Sequence, residues 1–205
     1  MSIVVGIHKG LDVCVAADTQ SSFGSNRVPT ENAGVSKLRR VGKAVIGTTG
    51  WGIYENILDD FLSAPEQPDL STKGRVFSFF LDLWKALHEH YPFVNDQSNH
   101  DDSPFGNLDA AFLVASPGGL FYVASDLSVT QFRRYCAVGS GADFSMGAAY
   151  TLYPGDLSAE QVARRSVDAA CAFNLYCGGR VEVVSLKANG PPPSEDAESQ
   201  ERALR

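Results

Sequence analysis

The spacing of apolar residues changes several times along the chain, and each change marks a predicted element. Ile3-Val4-Val5-Gly6-Ile7 is a short, mostly β-branched run, and Val13-Cys14-Val15-Ala16-Ala17-Asp18 is a second. The stretch His8 to Asp12 between them contains Gly10 and reads as a turn, so the two runs predict a hairpin. Both runs are apolar on both faces, which is the pattern of strands covered on both sides. Polar residues dominate from Thr19 to Asn32 and predict a loop. Val35 to Val41 and Ala44 to Thr49 follow as two more strands, joined at Gly42-Lys43.

From Gly52 to Leu62 the period becomes helical, with Ile53, Ile57, Leu58, Phe61 and Leu62 on one face. A Pro-containing break at Ala64 to Leu70 precedes a second helix. Its broad apolar face is Val76, Phe79, Phe80, Leu83, Trp84, Leu87 and Tyr91. The polar stretch Asn95 to Asn107 is the longest predicted internal loop. Leu108 to Ala115 and Gly119 to Ala124 flank the turn signal Ser116-Pro117-Gly118. Thr130 to Val138 predicts another strand or pair of strands. Two helices are expected near Ala142 to Leu152 and Ser158 to Phe173, the second opened by a capping box of Ser158 and Gln161. Arg180 to Leu186 reads as a final strand.

Strands, two helices, strands, two helices and a strand exclude a regular βαβ alternation. The order and the two-sided burial fit two stacked sheets with a helical layer on each outer side. This gives one domain over residues 2–187. The tail, residues 188–205, holds Pro191-Pro192-Pro193 and many charges, and is too polar to order itself.

Composition narrows the function classes. A chain of 205 residues with 44% apolar content suits one globular domain. The net charge of −7 and the lack of a basic stripe argue against nucleic acid or an anionic membrane as the main partner. No apolar run approaches the roughly 20 residues that span a bilayer, and the N-terminus lacks a signal-peptide pattern. A cytoplasmic protein is expected. Cys14, Cys136, Cys171 and Cys177 form no CxxC pair and read as free thiols in a reducing compartment. His88 and His90 on one helix point about 200° apart and suit no shared metal. His8, His88, His90 and His100 read as surface residues, and Met146 as core. No metal or cofactor is expected.

Four places could carry chemistry. Ser2 becomes N-terminal if Met1 is removed, and an N-terminal serine holds a nucleophilic hydroxyl and a basic α-amine on one residue. Such an amine titrates at about 7.7–8.0, close to working pH. Asp18 ends an apolar strand and Lys37 lies in another apolar stretch. Each needs a partner of opposite charge, and an ion pair between them would satisfy both. Gly47-Thr48-Thr49-Gly50-Trp51-Gly52 joins a strand to a helix, where an exposed backbone N–H can serve an oxyanion. Gly139-Ser140-Gly141 makes a similar junction, but it is neither a nucleophile elbow nor a dinucleotide fingerprint. Each place has an ordinary structural alternative: a common second residue, a structural ion pair, or a tight turn.

Taken in order, Ser2-Ile3-Val4-Val5, Ala16-Ala17-Asp18-Thr19, Val35-Ser36-Lys37-Leu38-Arg39-Arg40, Ile46-Gly47-Thr48-Thr49-Gly50, Val138-Gly139-Ser140-Gly141 and Cys177-Gly178-Gly179 form a register. In it the chain resembles proteasome β subunits and the bacterial heat-shock peptidase of that family. It looks closest to the short β-type homologues of some proteobacteria. The resemblance runs from Ser2 to about Leu186.

It implies an α+β fold, a four-layer αββα sandwich of the N-terminal-nucleophile hydrolase type. It implies Ser2 as nucleophile with its own α-amine as base, Asp18 and Lys37 as the charged pair beside it, and Gly50 as the oxyanion-hole glycine. Ser140 matches the serine that bonds the N-terminal amine and organises the catalytic water. Ser22 matches the residue that pairs with substrate backbone. Val35, Thr48 and Gly52 fall near specificity-pocket positions. Three residues depart from the pattern. Ser2 replaces threonine, Asn174 stands where proteasomal β subunits have Asp, and Cys177 where they have Ser. The last two positions normally support Ser140 and the N-terminus. Maturation by methionine removal alone, with no propeptide before Ser2, is expected, as in the bacterial branch that the chain resembles.

The implied partners are a peptide or unfolded protein substrate and copies of the same chain in a ring, as a double hexamer or heptamer. An ATP-dependent unfoldase is among the partners the family admits. Two other readings stay open: a ring-forming structural subunit that cleaves weakly or not at all, and a small-molecule amidase of the same fold. The Asp18–Lys37 pair favours the peptidase, because a purely structural subunit has no need of both beside Ser2.

Overall fold

β1 (Ile3–Lys9) and β2 (Asp12–Asp18) form the predicted hairpin in the computed structural model, with Val4 opposite Ala17 and Lys9 opposite Asp12. Gly10 turns the chain with φ of +60°, a conformation open to glycine at little cost. The structure describes residues 2–24, 26–28, 33–63, 67–91 and 108–192. Successive side chains of the hairpin face opposite ways. Val4, Val13, Val15 and Ala17 enter one core, while Ile3, Val5, Ile7, Cys14 and Ala16 enter another. Both faces are covered, as the unbroken apolar runs require.

The hairpin sits at the centre of a four-stranded sheet. β10 (Tyr135–Gly139) pairs antiparallel with β1, and β11 (Val181–Lys187) with β2. A second, five-stranded sheet runs β5 (Leu38–Val41), β6 (Ala44–Gly50), β7 (Ala110–Ser116), β8 (Gly119–Val123) and β9 (Val129–Phe132) in chain order, every pairing antiparallel. α1 (Ile53–Phe61) and α2 (Lys73–His90) cover the outer face of this second sheet, where Phe80 packs on Phe112 at 4.7 Å between ring centroids. α3 (Ala142–Leu152) and α4 (Ala159–Phe173) cover the outer face of the first, through Val162, Ala163, Val167 and Ala170. A third core, including Val4, Val15, Leu113 and Leu120, lies between the sheets. The result is the expected αββα order of layers.

The element boundaries differ from the sequence reading in two places, and a third reading is narrowed. The predicted loop from Thr19 to Asn32 contains a small ribbon, β3 (Ser21–Phe23) and β4 (Asn26–Val28). The strand expected from Val35 begins only at Leu38. Val35 N instead bonds Ala33 O at 2.7 Å, a local turn that takes the segment out of the sheet ladder. The run Thr130 to Val138 splits between sheets: β9 belongs to the second and β10 to the first, with Arg133-Arg134 between them. The predicted loop Asn95 to Asn107 and His100 lie outside the described residues.

His8 is not a surface residue. It is 5% exposed, and its Nε2 meets Gly190 O at 3.1 Å. Strand alternation turns its side chain away from the α3–α4 side, and the segment after β11 covers it. His88 and His90 are exposed, and Met146 is only half-buried on α3. The start of the tail is held by backbone bonds from Ala188 N to Leu11 O and from Asn189 N to Pro117 O. Residues 193–205 lie outside the described set. Among the described residues no helix is long and apolar enough to cross a membrane.

Candidate active site

Asp18 is the last residue of β2 and is fully buried, so its carboxylate must be satisfied from within. Oδ1 accepts from Ile3 N at 3.0 Å and from Lys37 Nζ at 2.6 Å. Oδ2 accepts from Gly178 N at 3.0 Å and Gln20 N at 3.3 Å. Lys37, 2% exposed, gives a second bond to Gln20 O at 2.8 Å. One carboxylate oxygen is therefore shared between the lysine ammonium and the peptide N–H that directly follows Ser2.

Ser2 stands at the end of β1, just before Ile3, which pairs with Gly139 of β10. The close approach of these strands demands glycine there: Gly139 has φ of +111°, and a Cβ would lie 2.1 Å from Ser2 O. Ser140 follows directly. Its Oγ reaches Ser2 O at 3.4 Å and Cys177 Sγ at 3.8 Å. Burial, with Asp18 nearby, pushes the Cys177 thiol above its ordinary titration range, and the contact with Ser140 opposes this. Cys177 thus stands as a neutral thiol at working pH. Asn174 Nδ2 donates to Ser140 O at 2.6 Å, and Asn174 Oδ1 accepts from Tyr176 N at 2.9 Å.

Between the ends of the two sheets lies a cleft of about 860 Å³. Ser2, Ser22, Gly50, Gly52 and Ser140 all line it. Gly50 is held there by backbone packing: its φ is +115°, and a Cβ would fall 2.2 Å from Asp109 O. Asp18, Lys37, Asn174 and Cys177 do not line the cleft, but hydrogen bonds connect each to residues that do or to their direct neighbours. Val35 and Thr48 stand apart from it. Val35 is half-buried in the segment before β5. Thr48 shares the helix-facing side of β6 with Ile46, is 2% exposed, and its Oγ1 has no partner among the described residues. Of the three positions matched to a specificity pocket, Gly52 alone lines the cleft.

Sequence reading missed Thr49, Trp51, Leu108, Asp109, Ala110, Ala111, Tyr122 and Tyr176 as cleft residues. The β6–β7 pairing brings Ala110 and Ala111 beside Gly50 and Thr49 across about sixty residues of sequence. No local motif signals that neighbourhood. Tyr176 was legible in principle, since it lies between the two flagged residues Asn174 and Cys177.

The fold and this geometry can be set beside known proteins. No family model matches the chain. A solved structure of Thiobacillus denitrificans BPH in complex with epoxomicin superposes with a TM-score of 0.83 at 30% identity, covering 91% of this chain and 99% of that one. The chain belongs to the proteasome β-type and HslV family. ATP-dependent protease subunit HslV of Caldicellulosiruptor saccharolyticus is 25% identical over 189 residues, which is 89% of this chain and 97% of that one. The HslV subunit of a Caulobacter species is 28% identical over 193 residues, with 89% and 92% covered. HslV from Trypanosoma brucei, at 20% identity and a TM-score of 0.62 over 90% of this chain and 99% of that one, shares the fold. The chain is thus a proteasome-like subunit of the N-terminal-nucleophile peptidase family, with that family's two antiparallel sheets flanked by helices.

Proposed function

We propose that this chain is a peptidase subunit in which Ser2, freed by removal of Met1, is the nucleophile. The observation that carries the reading is the shared Asp18 Oδ1, which binds Lys37 Nζ at 2.6 Å and Ile3 N at 3.0 Å. It fixes a lysine cation one carboxylate away from the peptide that Ser2 begins. The α-amine of Ser2 accepts the hydroxyl proton, through water, as Oγ attacks the peptide carbonyl. Lys37 offers countercharge to the forming alkoxide. Gly50 N–H serves the oxyanion of the tetrahedral intermediate. Collapse breaks the C–N bond, the α-ammonium returns its proton to the leaving amine, and an acyl ester remains on Ser2. Water, organised by Ser140, then attacks the ester and gives a proton to the α-amine; the acyl C–Oγ bond breaks, Oγ takes that proton, and the acyl product leaves as a carboxylic acid. Ser22 pairs with the substrate backbone. Asn174 and Cys177 hold Ser140. Gly52 borders the cleft, while Thr48 packs within β6 behind Gly50 and Val35 lies in the segment before β5.

The substrate class is unfolded protein or peptide. The working form is a homo-oligomeric double ring of six or seven subunits per ring in the cytoplasm, with an ATP-dependent unfoldase as partner. Copies of the chain in a closed ring would keep the clefts away from folded proteins.

N-terminal mass analysis should show Ser2 as the first residue. Ser2→Ala, equally processed, should assemble normally and lose hydrolysis of fluorogenic peptides. Hydrolysis retained in that variant would refute the mechanism. Epoxomicin, which BPH binds, should inhibit the wild type. A processed wild type that assembles yet cleaves nothing would favour the structural-subunit reading.

A further inference from the structure

We infer that Asn174 is a positioning residue that acts through both ends of its side-chain amide, so that a carboxylate in its place impairs turnover. The inference rests on the reading of Ser2 as nucleophile. Asn174 closes α4, its backbone N bonding Ala170 O at 2.8 Å. Its side chain then faces two partners that leave no choice of orientation. Ser140 O can only accept and lies 2.6 Å from Nδ2. Tyr176 N can only donate and lies 2.9 Å from Oδ1. The two bonds need a donor and an acceptor on one planar group, which an amide supplies.

The two partners belong to different arms of the site. Ser140 reaches Ser2 O through its hydroxyl. Tyr176 lines the cleft and begins the step to Cys177, which touches Ser140 Oγ, and Gly178, which donates to Asp18 Oδ2. The same turn is closed by Cys177 N to Asn174 O at 3.1 Å. One amide therefore sets the spacing between the Ser140 peptide and the turn that supports Asp18.

An ionised carboxylate has no proton to offer. At position 174 it would set a charged oxygen against Ser140 O, at the place where the amide now donates. A protonated carboxyl has one donor and one acceptor and matches the amide. Asn174→Asp should thus work like the wild type only where it is protonated. Titratable groups stand on the neighbouring elements. Asp18 and Lys37 are bound to each other, and Cys171 and Cys177 are held as thiols by burial, Cys171 up to about 12. Arg27 donates to Leu175 O at 3.0 Å. Asp143 stands in the first turn of α3 and Asp168 on α4, and Arg180, beyond the turn, pairs with Glu182 at 2.8 Å. Arg27, beside Leu175, favours the ionised acid. The Ser140 carbonyl, in direct contact, opposes it, as do the aspartates.

The test compares wild type, Asn174→Asp and Asn174→Ala by kcat and KM from about pH 5 to about pH 8, with ring size and thermal unfolding followed throughout. Near pH 8, kcat of Asn174→Asp should fall at least about tenfold, below that of Asn174→Ala, with KM little changed. As pH falls, its kcat relative to wild type should rise and pass that of Asn174→Ala. The ratio of Asn174→Ala to wild type should stay flat. Dividing by wild type removes the titration of the shared α-amine. Asn174→Asp equal to wild type near pH 8, a flat ratio, or a fully active Asn174→Ala would each overturn the inference. Should Asn174→Asp fail to fold near pH 8, Asn174→Ala and the acid end of the profile still decide it. Ser2→Ala, run alongside, separates the two failures. If it is inactive and the crossing is missing, the inference alone falls; if it is active, the nucleophile reading falls and takes the inference with it.

Discussion

Lys37 has given up solvent and holds two bonds, to Asp18 and to Gln20 O. Breaking one side of such a buried pair leaves an uncompensated charge, at a cost of about 3–5 kcal/mol. Lys37→Ala should therefore abolish peptide hydrolysis and also shift the urea midpoint sharply downward. Wild-type activity in that variant would make the pair purely structural. Gly50→Ala adds one methyl group, yet that carbon would sit 2.2 Å from Asp109 O on a backbone with φ of +115°. Strain of this kind costs about 1–3 kcal/mol or more. The expected result is lost hydrolysis and a lower Tm. The charged pair was legible in the sequence, because a carboxylate and an ammonium in apolar runs each demand a partner. The bonds from Gly178 N and Ile3 N to Asp18 were not, since backbone donors carry no residue signature. The double bonding of Asn174 was hidden for the same reason: both its partners are main-chain groups.

Helix α4 follows its sequence signals closely. Ser158 Oγ accepts from Gln161 N at 3.2 Å, and Gln161 Oε1 accepts from Ser158 N at 2.9 Å. Ser158→Ala should cost about 1 kcal/mol, read as a lower Tm with unchanged kcat, since no residue of α4 lines the cleft. Capping boxes and helical periods are local, so they could be read directly. The strands were harder. Val35 to Lys37 look like part of β5 because no turn residue separates them from Leu38, where the strand begins. The division between β9 and β10 depends on which sheet each joins, and Arg133-Arg134 carries no turn signal. The β3–β4 ribbon is built mostly from polar residues that pattern reading assigns to a loop.

At the scale of the whole molecule, His8 couples the N-terminal hairpin to the segment beyond β11. Its Nε2 faces a carbonyl, Gly190 O, so that nitrogen carries the proton in the neutral ring. Burial holds the imidazole below its ordinary value of 6.5, against the pull of that bond. The unfolded chain takes up a proton near pH 6.5 where folded His8 does not. Stability from this group is therefore complete above about pH 6.5 and is lost as pH falls through and below that value. Urea titrations should show the midpoint falling over this window in the wild type and a shallower fall in His8→Gln. An equal slope in both would place the pH dependence elsewhere. The order of the αββα layers was legible from the order of elements; the burial of His8 was not, because its partner Gly190 lies 182 positions away.

The sheet change between β9 and β10 also has a bearing on synthesis. β10 delivers Gly139 and Ser140 to Ser2 only after every strand of the other sheet has been made. Gly178, which completes the ligands of Asp18, comes later still. A nascent chain leaving the ribosome carries Ser2 first, yet it holds no finished cleft until nearly the whole domain has emerged. Connectivity alone would thus keep the proposed nucleophile idle during translation, a safeguard for neighbouring polypeptides that requires no inhibitory segment.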